Sequence, residues 1–189
     1  MKKSREIIEI IGDVVKATSI GCTIVVTHRD GISEAVACPQ INYIFGNAQY
    51  VKDQLDAMSK AVTTNDMKFP LIALFCPFKE QRNVPEYFSK ATVRILIACS
   101  THKDWSNEER LAISFQNILR PIYERLKAEL LADGRIDFGY KGLIPHEYSE
   151  NYSYGRYGAH TDTGDALSEP IDAINITNLE LKIKNPSCR

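Results

Sequence analysis

The chain has 189 residues, 44% of them hydrophobic and 25% charged, with a formal net charge of -1. That length and balance fit one globular domain with an extension, and the near-neutral charge supplies no basic field to hold nucleic acid. The start, Met1-Lys2-Lys3-Ser4-Arg5, is no secretory leader because Glu6, Glu9 and Asp13 interrupt any apolar stretch, and no run approaches the roughly 18 apolar residues of a membrane span.

In chain order, residues 3–17 read as a helix, with Ile7, Ile8, Ile11, Val14 and Val15 on one face. Gly21 follows it. The β-branched run 22–28 reads as a strand, and Asp30-Gly31 is a turn signal that returns 32–38 as the second arm of a hairpin. Gly46-Asn47 opens a second helix over about 47–61, with Val51, Leu55, Met58 and Val62 at helical spacing. A strand follows at about 70–76 and ends at Pro77. The polar segment 78–90 is expected to form a long hairpin tip.

Residues 91–100, with Val93, Ile95, Leu96, Ile97, Ala98 and Cys99, are apolar enough for a central strand buried on both faces. Ser106-Asn107-Glu108-Glu109 has the form of a capping box, in which Ser106 and Glu109 satisfy each other's backbone donors. Trp105, just before the cap, is expected to staple the helix start. The helix behind it repeats Leu111, Phe115, Ile118, Leu119, Ile122, Leu126 and Leu130 through Pro121. Proline removes one backbone donor and crowds the carbonyl of Asn117, so a kink or break is expected there. Asp133-Gly134 stops the helix. In the last strand, about 171–184, Ile174 and Ile176 lie on even numbers while Leu179, Leu181 and Ile183 lie on odd ones, so a β-bulge at Thr177-Asn178 must reset the phase. The fold class is α+β: a mixed, largely antiparallel sheet of about 4–5 strands with helices packed on one face.

Residues 133–170 stand apart. They hold six of the ten glycines and five of the nine tyrosines, with Ile136, Leu143, Ile144 and Leu167 as their only Val, Ile or Leu residues. A connection this long is uncommon and usually functional or disordered. Tyrosine combines contact area with a hydrogen-bonding tip, which favours an extended inter-subunit arm, mobile in a free subunit, whose contacts are Tyr148, Tyr152, Tyr154, Arg156 and Tyr157. The same residues could stack single-stranded bases, but Glu147, Glu150, Asp162 and Asp165 repel phosphate, and a protein contact is the better reading.

Reactive chemistry is thin. Five scattered cysteines, Cys22, Cys38, Cys76, Cys99 and Cys188, read as free thiols of a reducing compartment. Cys99 and His102 are close in the chain, but a cysteine within an apolar strand is ordinarily core, so a cysteine-dependent hydrolase is only the rival reading. His146, His160 and Asp162 match no ligand spacing, so no metal is implied. Gly155-Arg156-Tyr157-Gly158 lacks the preceding strand and following helix of a dinucleotide loop, and no cofactor is implied.

Several blocks carry a resemblance that runs along nearly the whole chain. They are Lys3-Ser4-Arg5-Glu6-Ile7-Ile8, Phe45-Gly46-Asn47-Ala48-Gln49-Tyr50-Val51 and Phe69-Pro70-Leu71-Ile72-Ala73-Leu74-Phe75. Further on come Ile97-Ala98 ahead of Trp105 and Glu109-Arg110, Leu119-Arg120-Pro121-Ile122-Tyr123, Tyr154-Gly155-Arg156 and Ile171-Asp172-Ala173-Ile174. In these the chain resembles phage head–tail connector and tail-terminator proteins of the Bacteroidetes phage and prophage type. The resemblance implies an α/β fold, no enzymatic activity and no cofactor. It implies a homo-oligomer, a hexameric ring at the top of the tail tube, with the tail tube protein on one side and a head-side connector or portal-adaptor protein on the other. DNA would pass through the ring without sequence-specific contact, and the protein would belong to the virion neck, assembled in the host cytoplasm. The long segment 133–170 leaves a head-closure role as the alternative.

Overall fold

The computed structural model describes residues 6–27, 31–60, 67–82, 88–139, 142–154 and 170–184. Its first helix, α1, spans Ile7–Gly21 and buries Ile7, Ile10, Ile11, Val14 and Val15. It runs past the expected end at 17, and its last turn carries Thr18 and Ser19, whose hydroxyls turn back onto the carbonyls of Val14 and Val15 at 2.8 and 3.1 Å. Strands β1 (Thr23–Thr27) and β2 (Ser33–Ala37) pair antiparallel as the expected hairpin, a two-stranded sheet of its own.

The main sheet has five strands: β3 (Asn42–Gly46), β4 (Leu71–Arg82), β5 (Phe88–Ser100), β6 (Glu147–Tyr154) and β7 (Ile171–Lys184). Their order is β3-β4-β5-β7-β6, with β3 parallel to β4 and every other pair antiparallel. This is the expected mixed, largely antiparallel sheet, and β5 stands at its centre. Two expectations need correction. β3 falls in a stretch with no expected element. Pro77 does not end β4: the strand runs on to Arg82, and the register with β5 shifts between Phe75 and Lys79 to absorb the missing donor. The peptides Phe69-Pro70 and Cys76-Pro77 are cis. The tip, 83–87, lies outside the described residues.

The bulge in β7 is where the change of phase requires it. Val93 faces Leu179 and Ile95 faces Ile176, so Thr177 and Asn178 together oppose Arg94. Asn178 takes a positive φ of 53°, a conformation that asparagine tolerates better than most residues. With the phase reset, Ile174, Ile176, Leu179, Leu181 and Ile183 all join one core.

Helix α2 covers Ala48–Lys60. A longer helical rod begins as α3 (Asn107–Arg110), passes through a π-helical segment over Leu111–Leu119 and continues as α4 (Arg120–Ala132). The capping box forms as expected: Ser106 Oγ accepts from the Glu109 amide at 3.2 Å and Glu109 Oε2 accepts from the Ser106 amide at 2.7 Å. The break expected at Pro121 takes the form of a change in register. The Arg120 amide bonds to the Phe115 carbonyl, five residues back, and Pro121 then falls in the first turn of α4, where a missing N–H is tolerated.

The two sheet faces are covered unequally. Phe115, Leu119, Ile122, Leu126 and Leu130 of the rod join α1 over Ile72, Leu74, Ile95 and Ile97. On the other face Val51 and Leu55 of α2 meet Ile44, Leu71, Ala73 and Phe75. The helical layer is thus on one face as expected, with the exception of α2, which caps the corner by β3 and β4 on the other. The hairpin β1–β2 lies against the outside of the rod, where Ile24 is buried.

Candidate interaction surface

Residues 133–139 and 142–154 are not the free arm their composition suggests. Ile136 bridges to Ile183, and Glu147–Tyr154 joins the sheet as edge strand β6. The cause is a period-two pattern: Tyr148, Glu150 and Tyr152 all point to the helical side, where each finds a partner. Tyr152 stacks on the buried Phe115 with ring centroids 4.5 Å apart, which ties the strand to the core. Tyr140 and the segment 155–169, with Arg156, Tyr157, His160 and Asp162, lie outside the described residues.

The surface beside β6 is built by α4. Arg120, Tyr123 and Lys127 follow one another along that helix. Arg120 grips Glu150 with two bonds, Nε to Oε1 at 2.7 Å and Nη2 to Oε2 at 3.1 Å. Tyr148 donates its hydroxyl to the same carboxylate, and its ring lies 4.9 Å from that of Tyr123. Tyr123 in turn bonds to His146 Nε2 at 2.8 Å, while His146 Nδ1 donates to the Ile144 carbonyl at 2.7 Å. The Ile144 carbonyl can only accept, so Nδ1 carries a proton, and Nε2 pairs with the Tyr123 hydroxyl. Lys127 stands 4.4 Å over the Tyr123 ring. The Arg120 guanidinium holds the Glu150 carboxyl below the usual carboxylate range against the opposing effect of burial. Burial, then the Glu150 charge, pushes the Tyr148 phenol up. The cluster is therefore a network of fixed charges and oriented rings, with Tyr148 still 41% exposed.

The opposite edge has a different character. Along β3 and the start of α2, Phe45 and Tyr50 are exposed at 46% and 48%. Gly46 has a φ of 153°, and a Cβ there would press on the Tyr50 ring. Between α1 and β3 runs a groove of about 490 Å³ whose walls include Ile41, Tyr43, Met58, Met67 and Phe69. One edge of the sheet is thus polar and aromatic, the other mostly apolar.

The reactive candidates sit in unlike settings. Cys99 is buried in the core, and its thiol is pushed up to about 12 by burial and then by the Asp172 charge. His102 is exposed and lies 3.5 Å from Asp104. Both ring nitrogens of His146 are engaged by Tyr123 and Ile144, and no cluster of three metal-ligating side chains exists among the described residues. Nor is any described helix long and apolar enough to cross a membrane.

One central feature went unread in the sequence: a buried ion pair. Arg110 Nη1 donates to Asp172 Oδ1 at 3.1 Å, with both side chains at 5% exposure or less. The same guanidinium reaches Thr101 Oγ1, the His102 carbonyl and the Trp105 carbonyl. At the helix position that Trp105 is expected to staple stands Arg110, whose Nε donates to the Trp105 carbonyl, and the indole lies 6.2 Å from the His102 ring. The signal was present, since Asp172 interrupts the apolar run Ile171-Asp172-Ala173-Ile174 and Arg110 adjoins the apolar helix face. Two of the blocks behind the resemblance meet in this pair, and a third, Leu119–Tyr123, supplies the β6 surface.

No protein-family model matches the chain, and no curated protein does.

Proposed function

We propose that the protein is a virion assembly protein of a tailed phage, a ring-forming tail terminator or neck connector that caps the tail tube and meets the head connector. The observation that carries this reading is the pair of unlike edges that the sheet has among the described residues, β6 with its Arg120–Tyr123–Tyr148 network and β3 with Phe45 and Tyr50. Head-to-tail rings need two different patches on each subunit, one to give and one to receive. The resemblance in the Phe45–Val51, Leu119–Tyr123 and Ile171–Ile174 blocks supports it, because these blocks build or support the two edges. The mechanism is geometric: the ring offers one face to the last tube ring and the other to the head-side connector, and DNA threads its lumen. A head-closure protein would use the same edges, and the side of the neck it binds separates the two roles.

Native mass measurement of the purified protein, alone and with tail tubes, tests the reading. Rings of about six subunits, or subunits gathered at tube ends in electron micrographs, are expected. A protein that stays monomeric at high concentration and ignores both tube ends and head connectors overturns it.

A further inference from the structure

The base of the β1–β2 hairpin holds two cysteines. The ladder sets Thr23 opposite Ala37, so the next pair outward is Cys22 opposite Cys38, and the Cys38 amide donates to the Cys22 carbonyl at 2.9 Å. The Cys22 thiol donates to the Thr23 carbonyl at 3.8 Å. Directly opposed residues of an antiparallel ladder have Cα atoms about 4.5–5.5 Å apart, inside the roughly 4.4–6.8 Å that a disulfide spans. Both side chains are buried and both cysteines are reduced. A third group completes the site. Arg125 of α4 lies so close to Gly21 that a Cβ there would overlap its guanidinium, which brings a positive charge beside Cys22.

We infer that Cys22 and Cys38 form an oxidisable pair whose disulfide clasps the hairpin to the end of α1. The inference stands on the hairpin alone and goes beyond the assembly reading. With a small disulfide such as oxidised glutathione as oxidant, the Cys22 thiolate attacks one sulfur, forms a mixed disulfide and expels a glutathione thiolate. The Cys38 thiolate then attacks the Cys22 sulfur and expels the second. Two thiols are oxidised, one disulfide is reduced to two thiols, and the protons lost by the cysteines end on glutathione or solvent. Burial pushes the Cys22 thiol up as well, and Arg125, which is itself paired with Glu129, acts against that push. Burial pushes the Cys38 thiol up to about 12, so closure at neutral pH is slow and quickens as the pH rises.

A bond here closes the chain from 22 to 38 into a loop, and a loop of about 15 residues is enough to raise the melting temperature by roughly 5–10 °C in a domain this size. The test is incubation of the whole protein with oxidised glutathione at pH 7 and pH 9, then alkylation of remaining thiols and peptide mapping. The expected product is two hydrogens lighter, carries a Cys22–Cys38 linked peptide, forms faster at pH 9, melts higher and reverts with dithiothreitol. Cys22→Ser and Cys38→Ser should each lose the linked peptide and the melting shift. The mapping of the parent protein stands by itself if either variant folds poorly. Stable glutathione adducts on Cys22 or Cys38 without an internal link, linkage between other cysteines, or no reaction after a day at pH 9 would overturn the inference.

Discussion

The five-stranded sheet and the β1–β2 hairpin are both antiparallel β structure, yet they are held by different means. β5 has strand partners on both sides and core on both faces, with Ile95, Ile97 and Ala98 fully buried. The hairpin has two strands of five residues, β2 largely exposed, and one fully buried aliphatic, Ile24, against the rod. A two-stranded hairpin is marginal by itself. What secures this one is its base, where Cys22 meets Cys38 and the Ile41 amide binds Ser19 Oγ at 3.0 Å. The lesson is that β structure in this chain draws its stability from its surroundings in the sheet and from anchors at the hairpin root.

The sharpest way to break that contrast is to strike the sheet at its buried charge. Asp172→Ala leaves Arg110 buried without its carboxylate, and such a loss costs about 3–5 kcal/mol. Denaturant unfolding should show it, and a midpoint within error of the parent would mean that the pair does not anchor β7. Ile97→Ala opens a cavity in the central strand and should cost about 2–5 kcal/mol in the same measurement. Ser106→Ala removes one half of the capping box, and a loss of about 1 kcal/mol is expected.

Smaller effects sharpen the comparison. Because Arg120 depresses the Glu150 carboxyl in the folded state, the pair stabilises the protein above the unfolded carboxyl value of about 4.3, and the benefit disappears as the pH falls through the lower folded value. The gap in stability between the parent and Glu150→Gln should therefore be steady near neutrality and close below about pH 4. Arg120 is 41% exposed, so solvent screening keeps that gap below the effect of the cap. A gap that widened on acidification would contradict the pairing. Ala35→Lys, on the exposed face of β2, should change stability by less than about 0.5 kcal/mol. Hydrogen exchange should find the β1–β2 amides opening well before those of β5 and β7, and equal protection would erase the contrast.

The same contrast explains which parts of the molecule the sequence made legible. Strands and helices with many apolar positions announced themselves: 91–100 as the centre of the sheet, the rod from Ser106, the bulge at Thr177-Asn178 and the hairpin across Asp30-Gly31. Elements that depend on partners did not. β3 has five residues and takes its identity from pairing with β4. β6, Glu147–Tyr154, has no Val, Ile or Leu, so tyrosine and glycine content outweighed an alternation that only Phe115 and Arg120 make meaningful. Pro77 read as a stop because a bulge in β4 at that very position could not be foreseen. The Arg110–Asp172 pair joins residues far apart in the chain, and nothing local to either names the other.

The strand directions carry one more implication. β3 runs with β4, and three reversals follow through β5, β7 and β6. The two borders of the sheet therefore point in opposite directions along the strands. Setting a second subunit alongside the first, without turning it over, brings a descending β6 against an ascending β3. That is the antiparallel arrangement, with hydrogen bonds perpendicular to the strands and the slightly more stable pairing per residue. A flipped neighbour would instead meet its own kind, β6 to β6 or β3 to β3, and such a contact closes after two subunits. The topology thus separates two growth habits at the level of backbone direction: side-by-side repetition consumes both borders and leaves none exposed once a circle is complete, whereas a flipped pair always leaves two like borders unused.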